Sequence, residues 1–292
     1  MGMKTWQKIE EKLKAEKVPY RAHLTRRRGH AGKLARQITE DGEKHILVVL
    51  GGDGTVNEVV NGICQLDQTT FGYIPIGSSN DFARGLKLEK DPMKALHSIL
   101  HPKKVIAADV GQISREGKRR RFIVSAGMGF DAGVCHEVCV SQWKKRLNKI
   151  GLGKLSYAVV ALDRLRKDKP VKITITLPDG REKIFEKTLF AAFMNLPYEG
   201  GGFQFAPEAS VTDGCLDLVV AHHMSPVKAV WLLPRAFFGK HTKAKEIAVI
   251  RSPFVSVRAE RSLPIHTDGE AAFSRKEAAA EILNEKLDVI VG

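Results

Sequence analysis

Two glycine-rich loops and two acidic turns hold the residue types from which phosphate chemistry is built. The first loop is Gly51-Gly52-Asp53-Gly54-Thr55, with Asn57-Glu58 just beyond it. Glycines let backbone N–H groups approach a phosphate, and a helix starting there adds the positive end of its dipole. Asp53 is a carboxylate inside that loop, where it would repel a bare phosphate unless a magnesium ion or a substrate hydroxyl stood beside it. The loop is not a Walker motif, because no Gly-Lys-Ser/Thr closes it, nor a dinucleotide fingerprint, because Asn57 stands where a third glycine belongs. The second loop, Gly77-Ser78-Ser79-Asn80-Asp81, is likewise polar and leads into helical sequence. Asp213-Gly214 and Asp268-Gly269-Glu270 are the acidic turns. Taken locally, Thr267-Asp268-Gly269-Glu270 is a plain hairpin reversal.

The elements that must carry these loops are legible in the hydrophobic pattern. Residues 45–50 form a short β-branched run that reads as a buried strand, and Val56, Val59, Val60 and Ile63 then recur at helical spacing. Residues 1–17 read as a helix with Trp6, Ile9 and Leu13 on one face, residues 20–25 as a strand, and residues 31–39 as a second helix. Residues 71–76 form another strand feeding the second loop, followed by a short helix opened by Asp91 and Pro92. This alternation predicts a parallel sheet with helices on both faces, and in such a sheet the loops after neighbouring strands face one ligand. Beyond residue 105 the pattern becomes strand-rich: a hairpin around residues 116–118, a helical interval over about 132–166, strands at 171–177, 181–189, 190–195 and 216–222, a helix at 226–238, and strands at 246–250, 254–259, 263–267 and 287–291. Short strands with glycine-containing turns predict a mostly antiparallel β-sandwich.

The chain has 292 residues and a formal net charge of +14. That length suits two domains, and that charge favours polyanions such as nucleic acid, anionic headgroups or phosphorylated substrates. No apolar run approaches the length of a membrane span. The four cysteines lack metal-ligand spacing beyond Cys135-x-x-x-Cys139, which reads as two small apolar residues on one helix face. Few cysteines and no signal peptide place the chain in a reducing cytoplasm. Aromatic residues near the basic runs are sparse and no nucleic-acid motif occurs, so no nucleic-acid partner is expected.

The first loop resembles the nucleotide loop of the diacylglycerol kinase catalytic-domain family, which includes bacterial lipid kinases and their sphingosine-kinase relatives; NAD kinases and phosphofructokinases share its shorter Gly-Gly-Asp-Gly core. The likeness extends through Gly77-Ser78-Ser79-Asn80-Asp81-Phe82-Ala83, Asp109-Val110-Gly111 and Gly127-Met128-Gly129-Phe130-Asp131-Ala132. It continues through Tyr198-Glu199-Gly200-Gly201-Gly202-Phe203, Pro207-Glu208-Ala209, Asp213-Gly214-Cys215-Leu216-Asp217 and Asp268-Gly269-Glu270. The family's opening strand, with its Asn-Pro-x-Ser/Ala-Gly turn, has no counterpart in this sequence.

The resemblance implies an α/β nucleotide-binding domain over residues 1–108, with a parallel sheet of the NAD-kinase and phosphofructokinase kind. A mostly antiparallel β-sandwich lipid-substrate domain follows over residues 109–292, its C-terminal strand free to return to the first domain. It implies an ATP-dependent lipid kinase. ATP would be held by Gly51, Gly52, Asp53, Gly54, Thr55, Val56 and Asn57 together with Thr25 and Ser78. Glu270 would take the lipid hydroxyl proton, with Asp53 also in the catalytic set, and a structural Mg2+ would be held by Asp213 and by backbone oxygens at Ser210 and Cys215. The expected partners are a lipid substrate at the membrane surface, an anionic membrane met peripherally by clusters such as Lys118-Arg119-Arg120-Arg121 and Lys144-Lys145-Arg146, and, as an open option, a second copy in a homodimer. The alternatives are a soluble kinase of the NAD-kinase type, or a non-catalytic nucleotide- or lipid-binding relative.

Overall fold

The structure, a computed structural model, describes residues 2–115, 117–130, 132–133 and 168–292. Most of the helical interval expected over 132–166, with Cys135, Cys139 and the cluster at 144–146, lies outside the described residues. The chain divides into two compact units, residues 1–110 with 284–292, and residues 111–283. Among the described residues no helix is long and apolar enough to cross a membrane.

The first unit is α/β. Helix α1 (Gly2–Ala15) buries Ile9 and Leu13 against Ile74 and against Ala95 and Leu96 of α5 (Pro92–Leu100), so the 3.6-residue stripe read in the sequence is its core face. Asp91 starts α5 by accepting from Met93 N and Lys94 N, with Pro92 in the first turn where a missing N–H costs nothing. Strands β1 (His45–Gly51) and β2 (Thr69–Pro75) pair in parallel. The sheet order is completed by β13 (Leu287–Ile290), parallel to β2, and by β3 (Val105–Ala108), antiparallel to β13. Helices α2 (His30–Thr39) and α3 (Asp53–Gly62) meet backbone to backbone: a Cβ on Gly62 would stand 2.1 Å from Gly32 O, and one on Gly32 would stand 2.8 Å from Glu58 O. Only glycine fits at that crossing.

Two expectations fail here. Residues 20–25 form no strand, and β1 is not wholly buried, since Ile46 is 69% exposed. β1 lies at the edge of its sheet with a neighbour on one side only, which leaves part of it in solvent; nothing in the structure explains why residues 20–25 do not pair with that open edge.

The second unit is built on one nine-stranded antiparallel sheet. Its strands are β4 (Gly111–Arg115), β5 (Lys118–Phe122), β6 (Ser125–Gly129), β7 (Val171–Thr176), β8 (Glu182–Met194), β9 (Leu216–His222), β10 (Ile247–Ser252), β11 (Phe254–Thr267) and β12 (Glu270–Ile282). The long strands β8 and β11 are bridged by β7 along one stretch and by β6 along another, around a core that includes Phe122, Phe193, Ile173, Val257 and Ile265. The runs read separately as 181–189 and 190–195 are one strand, as are 254–259 and 263–267. β12 went unread: Glu270 to Ile282 is rich in alanine, glutamate and lysine, residues of helical preference, and antiparallel pairing with β11 and β4 overrides that preference. One helix, α6 (Pro226–Phe237), is capped by Ser225, whose hydroxyl accepts from Lys228 N.

Buried Asp109, next to β3, is neutralised by Lys286, which begins the return into β13. Removing the cation takes the Lys286 partner from a carboxylate that is only 1% exposed. Lys286→Met is therefore predicted to cost on the order of 3 kcal/mol in urea unfolding at pH 7, with much of the loss recovered in the Asp109→Leu/Lys286→Met double variant. An unchanged midpoint for the single variant would remove this ion pair from the account of the fold.

Candidate functional site

In the first unit, the glycine loops follow β1 and β2 and touch directly. A Cβ on Gly77 would lie 2.7 Å from Gly52 Cα, and one on Gly51 would lie 2.9 Å from the Thr55 side chain. Thr55 N makes the first turn bond of α3 to Gly52 O at 2.9 Å, and Val56 N reaches the same oxygen at 3.2 Å. The N–H groups of Gly52, Asp53 and Gly54 therefore precede the helical ladder, as a phosphate cradle at a helix N-terminus requires. Asn80 closes the second loop: its Oδ1 accepts from Gly77 N and its Nδ2 donates to Gly77 O. It does so in a left-handed conformation, φ 52°, which asparagine tolerates. The Tyr73 hydroxyl lies 3.2 Å from Gly51 O and 3.1 Å from Asn80 Oδ1, bridging the two loops from beneath.

Asp53 does not wait for a metal to relieve its charge. Its carboxylate accepts from Asp81 N at 3.1 Å and Phe82 N at 3.2 Å, the first amides of α4 (Asp81–Gly85). Burial raises its pKa above the ordinary carboxylate value, while the Phe82 and Asp81 amides pull the other way. Glu58, four residues before the α3 terminus, does the same for α2: its two oxygens accept from Gly29 N at 2.7 Å and Ala31 N at 3.2 Å. Asn57 is fully buried within α3, and Val56 is an apolar core residue. Ser78 is exposed on the second loop and Thr25 is exposed on the irregular segment before α2. The structure thus brings Gly51 to Asn57 and Ser78 into adjoining loops. Thr25 stands apart from them in the sequence of contacts, with Arg26 N donating to His30 Nδ1 as the link into α2.

In the second unit the turn between β11 and β12 holds Asp268 and Gly269 at φ 47° and 76°, with Thr267 paired to Glu270, which is a two-residue hairpin of the left-handed kind. Asp268 is a brace: its carboxylate accepts from Ile123 N, Val124 N and Ser125 N at 2.9–3.1 Å. Beneath the turn, His266 is wholly buried, with Nδ1 receiving Gly269 N at 3.3 Å and Nε2 3.1 Å from Glu199 Oε1. That pairing fixes the imidazole with its proton on Nε2. Glu199 comes from the Glu199–Phe203 loop, which closes on itself by two backbone bonds across three consecutive glycines of positive φ. Glu270 is half-buried. Sequence reading gave no role to Tyr73, Glu58, His266 or Lys286, because each acts through a contact with a residue outside its own local pattern.

The Asp213 turn is arranged differently from a cation cage. Asp213 Oδ1 accepts from Cys215 N at 3.0 Å, and its Oδ2 is bonded by the Arg251 guanidinium. The same guanidinium reaches Glu208 O at 3.3 Å and Asp217 at 3.5 Å, while Ser210 Oγ pairs with Thr212 Oγ1. An internal cation already answers the carboxylate. Among the described residues no group of three or more His, Cys, Asp or Glu could hold a metal ion. Asp213 lies with Ser210 and Cys215 in the turn segment that leads into β9.

Residues 1–113 match the family model described as diacylglycerol kinase catalytic domain, and residues 124–291 match that described as YegS C-terminal NAD kinase beta sandwich-like domain. The chain is 32% identical over 257 residues to the probable lipid kinase YegS-like of Chromohalobacter salexigens, spanning 86% of this chain and 78% of that protein. It is 30% identical over 251 residues to the diacylglycerol kinase of Bacillus subtilis (strain 168), spanning 85% and 78% respectively. A crystal structure of a diacylglycerol kinase from Bacillus anthracis str. Sterne superposes with a TM-score of 0.65 at 21% identity, over 92% of this chain and 83% of that one, a likeness of fold.

Unfolding measurements can check the braces described above. Asp53→Ala strips the acceptor from two helix-terminal amides and should cost about 1–2 kcal/mol. Asp268→Ala leaves three amides without this acceptor and should cost roughly 3 kcal/mol. An unchanged unfolding midpoint for Asp268→Ala would remove that carboxylate from the account of the turn.

Proposed function

The chain belongs to the diacylglycerol kinase family, and from that premise we propose that it transfers the γ-phosphoryl group of ATP to the hydroxyl of a diacylglycerol-like membrane lipid. The observation that carries the proposal is the direct meeting of the Gly51–Thr55 and Gly77–Asn80 loops at the N-termini of α3 and α4. Phosphoryl transfer asks a protein chiefly for positioning and charge neutralisation. The amides of Gly52, Asp53 and Gly54 meet that demand for the ATP phosphates, and the Ser78 and Thr25 hydroxyls are assigned to the nucleotide. Asp53 serves by holding the two loops in register rather than by touching the substrate. Mg2+ enters this reading as part of the substrate, MgATP.

In the reaction the lipid oxygen attacks the γ-phosphorus, the bridging bond between the β-phosphate oxygen and the γ-phosphorus breaks, and ADP departs. Glu270 accepts the hydroxyl proton. The turn that carries it is held in place, with Asp268 bonded by three amides and Gly269 donating to His266, so the position of Glu270 is set by its surroundings.

Incubation with radiolabelled ATP and vesicles containing a panel of hydroxyl-bearing lipids should place label in the lipid phase, with none in NAD offered in parallel. Label in NAD alone, or in neither, would overturn the assignment. Glu270→Gln keeps shape and removes the base, so turnover should fall by about 10²–10⁴-fold with nucleotide affinity and melting temperature nearly unchanged. Wild-type turnover in a stable variant would move the base elsewhere.

A further inference from the structure

Helix α6 is apolar on two faces. Leu232 and Ala236, with half-buried Ala229 and Leu233 beside them, form the stripe that packs inward. Val227, Val230, Trp231 and Pro234 recur at i, i+3, i+4 and i+7 on the outer side, and Phe237 and Phe238 extend them past the helix end. These outer groups stand in solvent: Val227 is 81% exposed, Trp231 51% and Phe238 68%. A surface helix with one inward stripe ordinarily carries polar residues opposite it, and a contiguous outer stripe of aliphatic and aromatic groups marks a surface that something covers.

The charges around the stripe say what covers it. From residue 218 to residue 245 the sequence contains no Asp or Glu, and it contains Lys228, Arg235, Lys240, Lys243 and Lys245. Arg235 lies over the Trp231 ring at 3.5 Å and Lys228 stands 5.3 Å from its centroid, so two cations flank the central aromatic. Lys240, Lys243 and Lys245 are exposed just beyond the helix. Apolar side chains with a tryptophan at the centre and lysine and arginine around the rim are what an anionic bilayer surface takes up, the rings and aliphatics entering the acyl boundary and the cations meeting headgroup phosphates.

We propose that the outer face of α6, together with the lysines after it, is the element by which this chain docks on anionic lipid bilayers, with Trp231 and Phe238 inserted and Arg235, Lys240 and Lys243 on the headgroups. The inference rests on the lipid-kinase reading for its purpose, though not for its evidence. It also departs from a purely electrostatic attachment, because the inserted groups are apolar. The placement suits the chemistry: the Phe237 ring meets Phe203 edge-on at 5.8 Å, and Phe203 closes the loop whose Glu199 supports His266 under the candidate catalytic turn. A docked α6 would hold the bilayer beside that turn.

The test is vesicle co-sedimentation of the full chain, with phosphatidylcholine vesicles that either contain or lack about one-third phosphatidylglycerol, at low and high salt. Wild type should bind the anionic vesicles and keep a measurable part of that binding at high salt. Trp231→Ser/Phe238→Ser should weaken binding at least about tenfold at both salts, and Lys240→Glu/Lys243→Glu about tenfold or more at low salt. Lys118→Glu/Arg119→Glu makes the same charge change on β5 and should have a markedly smaller effect. Matched melting temperatures exclude misfolding, and the oligomeric state is read on the same samples. Undiminished binding by Trp231→Ser/Phe238→Ser overturns the proposal, as does a wild-type dimer that this variant dissolves without any vesicle binding. Kinase activity on a water-soluble short-chain diacylglycerol is measured alongside. Activity there with no vesicle defect in the variant sinks the docking surface alone, and α6-dependent vesicle binding without any such activity sinks the kinase reading alone.

Discussion

Two carboxylates on one ten-residue helix hold the first unit's loops together. Asp53, at the start of α3, accepts the first amides of α4, and Glu58, one and a half turns on, accepts the first amides of α2. Each is a charge-assisted bond to the positive end of a helix, the strongest kind that backbone amides offer an acid. The arrangement works only because α2 and α3 approach to glycine distance at Gly32 and Gly62, and because Gly52 and Gly77 bring the two loops into contact. Glycines set the spacing and acids lock it. The amides left over at the head of α3 are then fixed in place before any nucleotide arrives, which is the preorganisation that a phosphate site needs.

The second unit repeats the device in β-structure. Asp268 draws in three consecutive amides at the start of β6, and the same segment holds Asn195, which donates to Ile123 O from the other side. The neighbouring Asp213 turn is quieted by an arginine instead. Asp53, Glu58, Asp213 and Asp268 thus each hold backbone amides in place. His266 and Glu199 complete the support from within the core, where a neutral imidazole can act as both donor and acceptor without the cost of a buried charge.

The parts legible in the sequence are those whose signal is local. The run at 45–50, the glycine loops, the Asp-Gly reversals and the capped helices at 92 and 226 all announce themselves within a few residues. Residues 20–25 looked like a strand from local spacing alone, yet they do not pair with the open edge of β1. The alanine-rich stretch from 270 to 282 is the converse, a poor strand by preference that pairs on both sides. Arg251 at Asp213, Lys286 at Asp109 and Glu199 at His266 join residues far apart in the chain, and no spacing rule in a single sequence reports such meetings. The roles of α6 divide along the same line: its helical period was readable, but which of its two apolar faces lies inward depends on segments such as the loop at Phe203 and Gln204 that meet it.

The position of β13 has a consequence for how the protein comes into being. That strand lies between β2 and β3, yet its residues are made only after the entire second unit. From Pro75 to Leu287 a nascent chain must wait about 10–40 s at ordinary elongation rates of about 5–20 residues per second. Throughout that interval the first unit has a sheet with a gap at its centre and Asp109 without its lysine. The loops on β1 and β2 can form early, but the unit that carries them closes only once β13 has emerged. Synthesis order thus makes the first unit dependent on a strand separated from it by the whole of the second.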